Sequence, residues 1–220
     1  MLRKAADNKM LYKGTRPSKE QAWALRRVFD VILAGGTIAG TVTGTVPTFS
    51  DLAPAEGDLM DQLTWRVVND SVMGGSSTSS MRKSSGGWLF SGMLVLRNGG
   101  FASTSGSLNG PGMLAGSKGL TTTLQGDGGR YKLTLRTSSD ASITWAADVV
   151  TTPGELNTVE LPWGSFRPSF RGRQLEGRRL DPAQVDGIGL MLSKLTDMGY
   201  PAPETKDGAF ALLVKRLETF

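Results

Sequence analysis

From residue 63 onward, apolar and polar positions alternate in short runs. Tyr131, Leu133 and Leu135 are apolar, and Lys132, Thr134 and Arg136 between them are polar. That two-residue period belongs to a strand with one buried face. Phe210, Leu212 and Val214 repeat it near the C-terminal end of the sequence. Similar runs, rich in apolar and β-branched residues and separated by Gly/Ser/Asp clusters, predict strands near 64–69, 88–97, 99–104, 119–125, 130–137, 142–150, 157–161, 185–194 and 208–217. There is little helical period and no strand–helix–strand rhythm. The expected class is all-β, a β-sandwich or jelly roll over residues 63–220.

The first 62 residues follow a different pattern. Residues 28–46 form a continuous, weakly apolar run at the short end of what a bilayer-crossing helix needs. Gly36, Gly40 and Gly44 recur every four residues, which puts them on one helical face where a second helix can approach closely. The run therefore predicts an N-terminal helical segment and a candidate membrane anchor. Residues 1–27 before it are basic, and residues 47–62 after it form an acidic linker with Asp51, Glu56, Asp58 and Asp61. Such asymmetry places the N-terminus on the positive side and the large domain across the membrane. A targeting peptide or a Gly/Thr linker are the competing readings, and Arg26-Arg27-Val28-Phe29 resembles a twin-arginine export signal.

Composition narrows the chemistry. The 220 residues contain no His and no Cys. A histidine general base, a Ser-His-Asp triad, a thiolate nucleophile and His or Cys metal ligands are thereby excluded. Carboxylate-pair hydrolysis and oxygen-ligand calcium sites stay open. Twenty-nine Gly and ten Pro suit a loop-rich β protein. Net charge is +5, with the break from basic to acidic falling near residue 50.

Four segments hold more special residues than a sandwich requires. Trp65 leads into Asp70-Ser71-Val72-Met73-Gly74-Gly75-Ser76, a strand ending in a tight turn. Phe90-Ser91-Gly92 precedes Asn98-Gly99-Gly100-Phe101-Ala102-Ser103, a hairpin signal. Gly126-Asp127-Gly128-Gly129-Arg130-Tyr131 is a third tight turn. The fourth segment is Leu161-Pro162-Trp163 with Phe166-Arg167-Pro168-Ser169-Phe170-Arg171-Gly172-Arg173, and Ile188-Gly189-Leu190 follows later. Taken in this order from Trp65 onward, they resemble the complex I intermediate-associated protein family. The resemblance leaves residues before 63 uncovered. It implies a galactose-binding-like β-sandwich and a protein that acts by binding, in the assembly of a membrane electron-transfer complex such as respiratory complex I or a photosystem. It implies no catalysis and no cofactor. The Gly126-Asp127-Gly128 turn opens a strand and lacks the spacing of a dinucleotide fingerprint.

Candidate contact residues follow. Asp70 either caps its turn or meets a partner, and Met73 is either core or contact. Asp127 could join Asp70 in a calcium site or as a catalytic pair. Trp65, Trp88, Trp145 and Trp163 suit a core better than a sugar platform. Arg167, Arg171, Arg173, Arg178 and Arg179, opposed only by Glu176 and accompanied by Phe170, form the sharpest candidate surface. Guanidinium forks grip carboxylate, phosphate or lipid headgroups, whereas a nucleic-acid platform needs more interleaved aromatics. The leading expectation is a non-enzymatic accessory or assembly subunit of an organellar membrane complex. It would contact that complex's subunits and membrane lipid, with the thylakoid favoured over the mitochondrial inner membrane and no small-molecule substrate. A carbohydrate-binding module is the alternative.

Overall fold

The computed structural model describes residues 58–220. The basic segment 1–27, the apolar run 28–46 with Gly36, Gly40 and Gly44, and the linker up to residue 57 lie outside the described residues. Among those described, no helix is long and apolar enough to cross a membrane.

Twelve strands in two antiparallel sheets make up the described chain. The seven-stranded sheet runs, in spatial order, β1 (Thr64–Val67), β4 (Phe101–Ser107), β11 (Val185–Ser193), β6 (Arg130–Thr137), β7 (Thr144–Val150), β9 (Arg167–Phe170) and β10 (Arg173–Gln174). The five-stranded sheet runs β2 (Thr78–Ser84), β3 (Gly87–Leu94), β12 (Gly208–Thr219), β5 (Gly119–Gln125) and β8 (Leu156–Pro162). The all-β sandwich expected from the alternation is the fold observed.

Register explains the packing. Leu190 pairs with Leu133, and Leu133 with Ala147, so β11, β6 and β7 turn these side chains to the same inner face. The opposing sheet sends in Phe90, Phe210 and Leu212, all buried. Phe90 and Phe210 lie 5.0 Å apart, and the Tyr131 ring sits 6.4 Å from Phe210. This aromatic cluster joins the two layers, each such side chain contributing about 1.5–3 kcal/mol on burial.

Two local patterns escape the alternation rule. β2 is an edge strand of Thr, Ser, Met, Arg and Lys, and its pairing with β3 rests on backbone bonds rather than an apolar face. β9 contains Pro168, which lacks an amide donor and reads as a break, yet it is tolerated near the sheet edge. Leu59 and Met60, in the expected linker, lie in a 3₁₀ turn capped by Asp58 and are buried in the core.

Candidate functional site

Two connections far apart in sequence close on one carboxylate. After β1 a 3₁₀ turn at Asp70–Met73 leads toward β2, and the connection 95–100 between β3 and β4 lies against it. Asp70 is fully buried. Its Oδ1 accepts the Ser77 amide at 2.9 Å, and its Oδ2 accepts the Ser77 hydroxyl at 2.7 Å and the amides of Gly100 and Phe101 at 2.8 and 3.3 Å. Asn69 extends the network, accepting from the Ser79 hydroxyl at 2.8 Å and the Ser103 amide at 3.1 Å. Burial pushes the Asp70 carboxyl upward, but the Gly100, Ser77 and Phe101 donors outweigh it and hold it below the ordinary carboxylate value.

The neighbouring glycines exist to make room. A Cβ on Gly75 would stand 2.2 Å from the Asp70 Cγ, and one on Gly99 would stand 2.3 Å from Oδ2. Asp-x-x-x-Gly-Gly and Asn-Gly-Gly-Phe, separate motifs in the sequence, are thus two halves of one clasp. The clasp holds Val72 at 75% and Met73 at 71% exposure. Charge is inside and the apolar pair is outside, an inversion of the usual surface order.

Asp127 is also turned inward. Its Oδ1 accepts the Gly129 amide at 3.0 Å and the Tyr131 hydroxyl at 2.9 Å, while Oδ2 accepts the Ala211 amide of the opposite sheet at 2.9 Å. Burial, then the Asp127 charge, pushes the Tyr131 hydroxyl up, keeping it protonated as the donor. Asp70 and Asp127 therefore serve separate structural ties rather than a shared site. Among the described residues no cluster of three acidic groups could hold a metal ion.

The arginine segment folds as the β9–β10 hairpin. Phe166 and Pro168 are buried, and Trp163 packs 5.9 Å from Phe166 while its indole donates to the Ser117 carbonyl at 2.8 Å. That anchoring turns Arg167 outward on β9. The turn carries Arg171 at φ 49° and Gly172 at φ 78°. The Arg171 guanidinium lies 5.3 Å from the Phe170 ring, and Phe170, Arg171 and Arg173 line an open depression of about 330 Å³. No ion pair engages Arg167, Arg171 or Arg173 among the described residues. Arg178 and Arg179 follow on the exposed stretch before β11, where Arg178 helps lower the Asp140 carboxyl behind the larger effect of Ser142.

The sequence singled out Asp70, Met73, Asp127 and the arginines. It missed Asn69, Ser77 and Ser79 as network members and Val72 as an exposed partner of Met73. The repeated Gly-Gly pairs around a lone Asp were the available signal. Among the described residues the tryptophans serve the core: Trp145 is buried, and Trp65, Trp88 and Trp163 are half-buried and packed against it, with Trp65 6.1 Å from Trp88. Outward positions of β6, β7 and β11, such as Thr134, Arg136, Ala146, Gly187, Gly189 and Met191, carry no ring.

Residues 54–214 match the family described as complex I intermediate-associated protein 30. No curated protein matches the chain as a sequence relative. Among solved structures the chain is similar to the family 11 carbohydrate-binding module of the cellulosomal cellulase Lic26A-Cel5E of Clostridium thermocellum, with TM-score 0.53, 18% identity, and coverage of 75% of this chain and 92% of that one. The Clostridium thermocellum family 11 module in complex with a β-1,3-1,4-mixed-linked tetrasaccharide gives TM-score 0.51 and 18% identity, covering 77% and 93%. Likeness at that identity shows the fold alone.

Proposed function

This chain belongs to the complex I intermediate-associated protein 30 family, and on that premise we propose that it is a non-enzymatic accessory or assembly subunit of a membrane electron-transfer complex, respiratory complex I first. The observation that carries this reading is the division of roles between buried and exposed groups. Asp70 and Asp127, the side chains best suited to chemistry, are taken up by internal hydrogen bonds. Val72, Met73 and the arginine hairpin, which suit protein contact, face outward. The family supports a mitochondrial association, and the inner membrane is the setting proposed within it. A thylakoid setting, favoured by the Arg26-Arg27 pair and the flanking charges, is the other arm, with residues 28–46 as the lipid-embedded anchor.

Gentle-detergent native gels of the source membranes, with mass spectrometry of bands holding this protein, test the proposal. Co-migration with complex I subunits is expected. Near-equal amounts in the mature complex identify a permanent subunit, and presence in smaller assemblies an assembly factor. A free species in every detergent fraction overturns the reading. The carbohydrate-binding alternative lacks an exposed aromatic platform on β6, β7 and β11, and titration calorimetry against mixed-linked glucan is expected to show no heat of binding.

A further inference from the structure

The connection between β11 and β12, residues 194–207, folds back across the outer face of the seven-stranded sheet and is pinned there by three strands. Lys132 on β6, only 5% exposed, donates to the Leu195 carbonyl and faces Asp148 at 3.6 Å. Asp148 on β7 accepts the Asp197 amide at 3.0 Å, and Arg130 bridges Asp148 and Glu204. Gln174 on β10 donates to the Asp197 carbonyl. A buried ion pair of this kind adds little net stability, but breaking it is costly, so it fixes position.

The pinned connection ends in a tight turn. The Thr196 amide bonds the Tyr200 carbonyl at 2.7 Å, the Gly199 amide bonds the Thr196 carbonyl at 3.0 Å, and Gly199 takes φ +80°. The turn holds Met198 at 45% and Tyr200 at 67% exposure. Its tip abuts the arginine hairpin, since a Cβ on Gly199 would lie 3.8 Å from the Gly172 carbonyl and 3.9 Å from Gln174. Phe170, Arg171 and Arg173 continue the same surface.

We propose that Phe170, Met198 and Tyr200, rimmed by Arg171 and Arg173, form a docking surface for a protein segment that carries an apolar anchor flanked by Asp or Glu. The proposal rests on the reading above of the chain as an assembly or accessory protein and names the partner's chemistry. Aromatic residues, Met and Arg are the side chains enriched at interface centres, and Lys is depleted there. Glu176 is the one acid between Phe166 and Arg179, so the guanidinium excess calls for external carboxylates, which its forks pair in a bidentate way. The pinned turn and the hairpin are ordered before binding, which lowers the entropy cost of association. A lipid surface needs basic charge without fixed pairing geometry, whereas here the turn and hairpin backbones are set by hydrogen bonds and the Arg171 guanidinium is held against Phe170.

The test uses the full chain in its source membranes. Met198→Ala with Tyr200→Ala, and separately Arg171→Glu with Arg173→Glu, are expected to cut the fraction co-migrating with complex I subunits roughly tenfold or more, the size of a hot-spot loss, with unchanged circular dichroism. A photo-crosslinking benzoylphenylalanine at position 200 is expected to label a subunit segment holding Asp or Glu beside an apolar residue. Normal co-migration of both double variants overturns the proposal while leaving the assembly role intact, as does an adduct on cardiolipin or on a segment without acidic residues. A wild-type protein that co-migrates with nothing removes the assembly role itself and this surface with it.

Discussion

The Asp70 clasp and the β9–β10 hairpin both stand out in the sequence as dense clusters of special residues, yet they do opposite things with charge. The clasp buries its carboxylate under four hydrogen bonds and shows Val72 and Met73 to solvent. The hairpin buries Phe166 and Pro168 and shows its guanidinium groups. A motif rich in Gly and Asp thus encodes shape, and the exposed residues proposed for contact are the unremarkable pair it lifts out. A motif rich in Arg presents its proposed contact groups directly. Where the hydrogen bonds go, rather than which residues are present, separates the two.

If that contrast is right, the clasp is where stability is most easily broken. Asp70→Ala removes the carboxylate acceptor of the Ser77, Gly100 and Phe101 amides, and a loss of about 3–5 kcal/mol is expected. That corresponds to a fall of roughly 10 °C in thermal midpoint for a domain of this size, followed by circular dichroism. Gly99→Ala drives a methyl into the same carboxylate, at about 2–3 kcal/mol. Gly74→Ala meets open space and carries only the strain of φ +83°, about 1 kcal/mol. Equal losses at Gly74 and Gly99 would show that backbone conformation, not the carboxylate, governs this loop.

Acid sharpens the same comparison. The fold holds the Asp70 carboxyl below its ordinary value, so its stabilisation is complete above the usual carboxylate range and is lost as pH falls through the lower folded value. Asp58 and Asp148, whose carboxyls burial raises, act in the opposite sense. Thermal midpoints measured downward from pH 5 are expected to fall more steeply in the wild type than in Asp70→Asn. Parallel slopes would mean that other carboxylates carry the acid sensitivity.

How much of this was legible follows from which forces act locally. Strand alternation reports a buried face, so β5, β6 and β12 were readable from Leu120, Tyr131, Leu133, Phe210 and Leu212. The edge strand β2 and the next-to-edge strand β9 were not, because ladder bonds hold them and Thr78–Ser84 shows no apolar stripe. The family motifs were legible as a set, but their roles were not. Nothing local tells that Asp70 and Gly99 meet, since they are brought together by the pairing of β1 with β4. Nor does Met198-Gly199-Tyr200 look special until Lys132 and Asp148, two ordinary strand residues, are seen to hold its loop.

The smallest stability change and the clearest functional one should coincide at the exposed groups. Val72→Ala with Met73→Ala removes side chains that are mostly solvated already, so stability should shift by less than about 0.5 kcal/mol. Arg171→Glu with Arg173→Glu breaks no ion pair among the described residues and should be as mild, apart from the loss of the Arg171–Phe170 contact. Each pair should nonetheless reduce co-migration with complex I subunits on native gels, and salt separates their causes. Screening weakens charge pairing but not apolar burial. Binding that remains in the Val72/Met73 variant should therefore fall as ionic strength rises, because it rests on the arginines. Binding that remains in the Arg171/Arg173 variant should be nearly salt-independent, because it rests on the apolar pair. If both residual activities respond alike to salt, the two regions do not act by different physics, and the contrast between a clasp that encodes shape and a hairpin that encodes charge fails at the level of function even if it holds for stability.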